Sequence, residues 1–236
     1  MTLAPLLGEA LDLKDPRAGE FLSRAQGNII KGHGRDYTAH LFLTFGPNKA
    51  AVRRWIGNFA GRFVGHAGTQ LADTERWRTL GGTGVTFHTF FLSSAGYTWL
   101  ELPNMPSDAY FRAGMKVSPE GVRNTITDPP VEKWEPGFRN RIDAMVLVAD
   151  DSRHTLDARV EELSQELAQL CTAIHVERGE KLVFDFGAGQ QQVGSDRAAP
   201  AALRGGPGPA RALRQLLGIP QARSLSRHVA SRRADC

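Results

Sequence analysis

The stretch Ile142-Asp143-Ala144-Met145-Val146-Leu147-Val148-Ala149 is nearly continuous in apolar residues. A run of this kind is typical of a central strand that is covered on both faces. The residues Asp150-Asp151-Ser152 follow it and are candidates for a helix N-cap. Beyond them, leucine and valine recur at alternating spacings of four and three residues, at Leu156, Val160, Leu163, Leu167 and Leu170. The sequence therefore predicts a buried strand followed by an amphipathic helix that ends near Cys171.

Three further strands are predicted from apolar alternation and β-branched content, at residues 40–45, 85–92 and 172–176. A helix is predicted to begin at Pro47 and Asn48, because apolar side chains share one side of it: Val52, Trp55, Ile56, Phe59 and Phe63. A short helix is predicted over 108–115, with Asp108 in its first turn. This order of elements predicts an α+β fold, a ferredoxin-like plait with an antiparallel sheet and its helices on one face.

The length and composition predict a globular protein with one large domain or two small ones. The chain has 236 residues, of which 41% are hydrophobic, and this is enough for a sizeable core. The N-terminus has no signal-peptide pattern, and no run approaches the roughly 18 apolar residues of a membrane span. We therefore expect a cytoplasmic protein with no membrane partner. The two cysteines, Cys171 and Cys236, have neither disulfide-framework nor zinc spacing.

The composition changes abruptly near Phe186, so we divide the chain into an arm over 1–24, a domain over 25–186 and a tail over 187–236. The tail holds eight Arg, two Asp, ten Ala and seven Gly, with no Lys, Glu or aromatic residue. One interpretation is an irregular, disordered Arg-rich tail that contacts nucleic acid nonspecifically through its charge. The other is a product of a shifted reading frame in a GC-rich gene.

Candidate sites are few, and none carries a known catalytic pattern. The glycines around His33 precede a strand rather than a helix, so they are interpreted as a turn into that strand and not as a phosphate cradle. His40 and His88 lie on the more polar faces of their predicted strands and are interpreted as ordinary sheet-face residues. The acidic pair Asp150 and Asp151 is explained by helix capping. No histidine has zinc-ligand spacing, and no nucleophile motif is present.

Several short stretches together resemble the N-terminal half of the dye-decolorizing (DyP-type) haem peroxidases. They occur in that family's order over about residues 20–182, and they are QGNIIKGHGR (26–35) followed by AHLFLTF, FRAGM (111–115), DPP with Trp134 and Gly137, and IDAMVLVADD (142–151). The resemblance implies two ferredoxin-like plaits that sandwich haem b and use hydrogen peroxide to oxidise dyes or phenolic compounds. It also implies a proximal His, a distal Asp in a GxxDG motif and a distal Arg, all downstream of the matching stretch.

The sequence departs from the family after Leu182, where neither GxxDG nor room for a second plait is found. GFRNR (137–141) has Asn140 in place of the acid, and Asn cannot exchange a proton. GSDR (194–197) lacks the spacing, and His228 lies outside any family-like helix. The sequence thus offers no catalytic, cofactor-binding or metal-ligating residue, and it predicts a truncated chain without peroxidase activity.

Two alternatives remain from the sequence: a non-catalytic ferredoxin-like interaction module, and a small haem protein of the dimeric α+β barrel kind. In addition, the sheet face expected to bear Phe42, Thr44, His88 and Phe90 is predicted to lack intramolecular cover. Such a face would favour self-association into a homo-oligomer.

Overall fold

The computed structural model describes residues 16–81, 84–116, 129–185 and 191–196. Its helices are α1 (Pro16–Arg24), α2 (Lys49–Phe63), α3 (Ala67–Leu80), α4 (Ser94–Leu100), α5 (Ala109–Ala113), α6 (Pro136–Arg139) and α7 (Arg153–Ala168), with a 3-10 turn at Val131–Lys133. Its strands are β1 (Tyr37–Phe45), β2 (Phe87–Leu92), β3 (Ala144–Asp150), β4 (Cys171–Asp185) and β5 (Gln191–Asp196).

The five strands form one sheet in the order β2-β3-β1-β4-β5, and every neighbouring pair is antiparallel. The order of the first four strands is that of a ferredoxin-like plait, so the predicted fold class is confirmed. β1 and β3 occupy the centre, which agrees with β3 being buried along its whole length. None of the helices in the described part of the chain is long and apolar enough to cross a membrane.

The first face of the sheet is covered by α2 and α7. Alternate residues of β1 and β3 point into this core, where Leu41, Leu43, Val146 and Val148 are essentially inaccessible to solvent. α7 contributes the apolar row that its periodicity predicted, and Leu163 at its centre is fully buried. Apolar burial on this face is the main stabilising contribution to the fold.

The second face carries a smaller core, in which Phe42, Met145, Leu147 and Ala149 are buried and Phe87, Phe91, Phe138 and Ile142 pack around them. The expectation that this face lacks intramolecular cover is therefore wrong around Phe42, because α6 and the residues beside it lie over it.

The assignment of His88 and Phe90 to this second face is also wrong. The register pairs His88 with Val148 and Phe90 with Val146, whose side chains point into the first face. Residues paired across an antiparallel ladder share a face, so His88 and Phe90 lie under the helices. Phe42 and Thr44 do belong to the second face.

Several boundaries differ from the prediction. β4 is much longer than the predicted 172–176, because it pairs with β1 along the whole length of β1 and then with β5. β5 falls within the expected irregular tail, so the backbone of 191–196 is regular, whereas 197–236, with His228, lie outside the described residues. Four helices had no prediction: α1 within the arm, α3, α4 where a turn was expected, and α6 where a loop was expected.

Candidate functional site

The glycine-rich segment at residues 26–36 is a hydrogen-bonded loop anchored to α3. Gln70 of α3 is buried; its Oε1 accepts from the backbone N–H of Asn28 at 2.9 Å, and its Nε2 donates to the carbonyl of Lys31 at 3.0 Å. Asn28 has a φ of 71°, and its Oδ1 accepts from the N–H of His33 at 3.0 Å. These contacts order the backbone of the loop and hold it on α3.

Arg35 fastens the end of this loop to the sheet. Its Nη1 donates to Asp151 Oδ2 at 2.9 Å, and its Nη2 donates to the carbonyl of Val85 at 3.0 Å. A Cβ on Gly84 would lie 1.5 Å from Arg35 Nη1, so only glycine allows the guanidinium to pass. These contacts confirm the interpretation of the stretch as a turn into β1.

His33 is a neutral acceptor within the loop. Its Nδ1 accepts from the N–H of Arg35 at 3.0 Å, and its ring lies 5.8 Å from that of Phe87. Burial, and then the neighbouring Arg35 charge, lower the pKa of His33 to about 4. An imidazole whose nitrogen must accept a backbone hydrogen bond has a structural role.

The two acidic residues before α7, Asp150 and Asp151, bind different partners, which the sequence did not show. Ser152 is the N-cap, and its hydroxyl accepts from the N–H of Thr155. Asp150 Oδ1 accepts from the N–H of Ser152 at 2.8 Å, whereas Asp151 binds Arg35 and the N–H of Asp36. The expectation that capping explains the acidic pair is therefore wrong: Ser152 is the cap, Asp150 holds Ser152 and accepts from the Thr86 hydroxyl, and Asp151 anchors the loop.

His88 is a core histidine on the first face. Its Nε2 accepts from Arg159 Nε at 3.2 Å, and its ring packs 5.2 Å from Phe63 and 5.9 Å from Phe59. Burial, followed by the charge of Arg159, lowers the pKa of His88 to about 4. His40 lies on the opposite face, at the register position between Leu147 and Glu177. The structure thus separates these two histidines to opposite faces of the sheet.

The second face brings together a group of side chains that we call the second-face cluster: Phe42, Phe138, His175 and Glu177. His175 Nε2 and Glu177 Oε1 are 2.7 Å apart, and both side chains are partly exposed. The ring of Phe138 meets Phe42 at 5.0 Å and His175 at 5.1 Å, edge to face in both cases. This cluster joins an aromatic surface to a His–carboxylate pair at the accessible side of the sheet.

The GFRNR stretch (137–141) covers the second-face cluster, and it contains no acidic residue. α6 holds Gly137 so close to the sheet that a Cβ there would lie 2.3 Å from the His175 ring. Arg141 Nε forms an ion pair of 3.0 Å with the buried Asp143, whose other oxygen accepts from the N–H of Phe45 at 2.8 Å. Sequence reasoning missed the His175–Glu177 pair; the available signal was its i, i+2 spacing, which puts both side chains on one face of a strand.

The described residues contain no group of three or more His, Cys, Asp or Glu side chains that could hold a metal ion. Burial, followed by the charge of Asp143, raises the pKa of the Cys171 thiol to about 12, so the reactive thiolate form is suppressed at neutral pH.

Comparison with known proteins gives a consistent picture, although no protein-family model matches the chain. Over 149 residues, 62% of this chain, the sequence is 32% identical to the multifunctional dye peroxidase DyP2 of Amycolatopsis sp. (strain ATCC 39116 / 75iv2). The crystal structure of the Anabaena sp. DyP-type peroxidase superposes on 77% of the chain with a TM-score of 0.67 and 38% identity. That of DyP2 superposes on 75% with a TM-score of 0.61 and 26% identity.

The similarity covers only part of each of these proteins. The chain spans 31% of the curated Amycolatopsis protein and 39% of the Anabaena chain. It therefore corresponds to about one third of the length of the curated relative.

Proposed function

We propose a function for this chain on the premise that it is related to the DyP-type peroxidases over part of their length. The chain acts as the first α+β half of a haem-dependent peroxidase that uses hydrogen peroxide to oxidise dyes or phenolic compounds. The single observation that carries this proposal is the 38% identity to the Anabaena DyP-type peroxidase across 77% of the chain, with a shared fold.

The described residues do not fit a haem-ligating role. An axial histidine needs one ring nitrogen that is free and faces open space. His88 is enclosed by Phe59, Phe63 and Arg159, and His33 is buried in the loop. His175 has Nε2 bonded to Glu177 and Gly137 packed against its ring, and His66 Nδ1 caps α3. His154 is exposed on the first turn of α7. We therefore assign iron ligation and peroxide cleavage to groups outside the described residues.

The described part instead provides a surface against which a further domain of the peroxidase packs. A sheet with one face closed by long helices and the other carrying the partly exposed second-face cluster is suited to packing against a further domain on that second side. Phe138, which lies half-buried over the buried Phe42, supplies apolar contact area there, and the His175–Glu177 pair supplies polar groups that can orient the partner.

Haem titration of the full-length chain tests this function. We expect no stoichiometric Soret shift and no peroxide-dependent dye oxidation from the chain by itself. We expect the Soret shift and the dye oxidation to occur when the chain is mixed with the separately produced remainder of the Anabaena peroxidase. This remainder is the part of that protein to which this chain does not correspond. The remainder alone is the control.

Two outcomes would overturn the proposal. Stoichiometric haem binding with turnover by the chain alone would show that it supplies the ligand itself. Failure of the mixed sample to bind haem, with both parts folded by circular dichroism, would show that this chain cannot serve as the first half.

A further inference from the structure

β2 is an edge strand whose sequence favours pairing with further strands. It lies at one end of the sheet, beside β3. Its residues, Phe-His-Thr-Phe-Phe-Leu (87–92), include no Pro, Gly, Lys, Arg, Asp or Glu. Segments of about six residues with high β propensity, low charge and no Pro form intermolecular sheets when their edge is exposed. Native proteins therefore cover or charge such an edge, and β2 carries no charge of its own there.

Two short segments of the chain form a small ladder beside β2, and we call them the edge strap: residues 25–27 and 64–67. An antiparallel bridge joins the two segments. The N–H groups of Gly27 and Ala67 donate across it, at 2.9 and 2.7 Å, each to a carbonyl of the other segment. The edge strap thus has backbone hydrogen bonds of its own, and these do not depend on β2.

The edge strap covers β2 through one backbone bridge and one side chain. Val64 forms an isolated parallel bridge with His88. Two residues further along β2, the N–H of Phe90 donates to Oε1 of Gln26 at 3.1 Å. Residues two apart in a strand direct their N–H groups to the same side, so both contacts lie on the edge of β2 that faces away from β3. The Gln26 side chain takes the position that a carbonyl of a neighbouring strand would fill.

α3 fixes the position of the edge strap. His66 is the N-cap of α3, and its Nδ1 accepts a backbone N–H of the first turn at 3.2 Å. Gln70 of α3 accepts from the N–H of Asn28, directly after the first segment, at 2.9 Å. A Cβ on Gly27 would lie 3.0 Å from the ring of Phe87, so glycine gives the edge strap its close approach to β2.

We propose that the edge strap blocks the association of two copies of this chain through β2, and that Gln26 is the residue on which the block depends. Without the Gln26 acceptor, the N–H of Phe90 is a free donor on an apolar edge strand. β2 of a second copy can then pair with it antiparallel about a twofold axis. The proposal concerns this edge alone, so it is independent of the proposed peroxidase role.

Amide hydrogen exchange of the full-length chain, resolved at Phe90, tests whether Gln26 closes the edge. At low concentration, the Phe90 amide should exchange about fivefold to tenfold faster in Gln26→Met than in the unaltered chain, because the acceptor is lost while the length of the side chain is kept. Gln26→Glu is the matched control. Its carboxylate still accepts from the N–H, so the protection should remain. Equal exchange in the unaltered chain and in Gln26→Met would overturn the role of Gln26.

Sedimentation over a range of concentrations tests the block itself. Gln26→Met should dimerise at least about tenfold more tightly than the unaltered chain, and its Phe90 amide should become protected again in the dimer. Phe138→Ala is the control for general destabilisation, because it removes a partly buried ring elsewhere on the sheet and leaves the edge strap in place. A Gln26→Met chain that stays monomeric overturns the proposal. So does a dimer in which Phe90 stays unprotected, or an equally tight dimer of Phe138→Ala.

Discussion

The two faces of the sheet are stabilised in different ways. On the first face, two long helices cover a core dominated by Leu and Val, and even its histidine, His88, is enclosed by aromatic rings and Arg159. On the second face, the four-residue α6 with Phe138 covers Phe42, the glycine-rich loop lies against Phe87, and the His175–Glu177 pair stays partly open. The first face therefore contributes most of the stability of the fold, and the second is free to serve in recognition.

The largest expected effect is that of Leu163→Ala. Leu163 is fully buried at the centre of α7's apolar row, and truncation of such a leucine removes transfer free energy and leaves a cavity. The free energy of unfolding should fall by about 2–5 kcal/mol, measured by urea denaturation. Glu161→Ala, on the exposed side of the same helix, should change it by less than about 0.5 kcal/mol. A similarly small effect at Leu163 would contradict the assignment of the main core to this face.

The enclosed His88 makes stability depend on pH. Its pKa is lowered from 6.5 to about 4 in the folded chain, so between these values the unfolded chain binds a proton that the folded chain does not. The contribution of His88 to the free energy of unfolding is therefore fully present above pH 6.5. It decreases as the pH falls towards 4, by up to about 3 kcal/mol. The pKa of His33 is also lowered to about 4, so His33 likewise lowers the free energy of unfolding as the pH falls from 6.5 towards 4.

Urea denaturation at pH 7 and pH 4.5 measures this dependence. The free energy of unfolding should be lower at pH 4.5 than at pH 7, and His88→Asn should remove about half of the part of this difference that the two histidines cause. His33→Asn should remove about as much. An unchanged pH dependence in the double variant would show that neither imidazole is buried as described.

The first face was the predictable part of the fold. The strands β1 and β3 and the helix α7 each pack an apolar surface into the same core, so the periodicity of their apolar residues is visible in the sequence. α3 was not predicted because its inner contacts are made by Ala67 and by Gln70 and Thr74, whose side chains accept hydrogen bonds from Asn28 and Lys31, and these residues leave no apolar stripe. The face of His88 was misassigned because only the register between β2 and β3 fixes it, and register depends on contacts between distant segments.

The candidate site was hidden for a related reason. His175 and Glu177 are the polar positions in the alternation of β4, but a polar run begins at Glu177, so the strand was predicted to end at Val176 and the pair was divided. Phe138 could be placed over Phe42 only by the tertiary structure, since α6 is four residues long and carries no periodicity of its own.

A smaller effect is expected where the second face is covered. Phe138→Ala removes one partly buried ring with edge-to-face contacts to Phe42 and His175. We expect a loss of about 1–2 kcal/mol in the free energy of unfolding, with faster amide exchange in α6 than in α7. Tyr110→Ala, at an exposed aromatic residue, is the control. A loss as large as that of Leu163→Ala would mean that the two faces contribute equally to stability.

The smallest effect is expected for the His175–Glu177 pair itself. Both side chains are partly exposed, at 33% and 21%, so solvent screens their attraction. A double-mutant cycle with His175→Ala and Glu177→Ala should give a coupling free energy below about 1 kcal/mol in the chain alone. In the mixture with the remainder of the Anabaena peroxidase, the same cycle on the affinity between the two parts should give a larger coupling, because a contact that excludes water strengthens a charge-assisted hydrogen bond. Equal couplings in both states would place the pair outside the contact and would leave the recognition role of the second face to the half-buried Phe138.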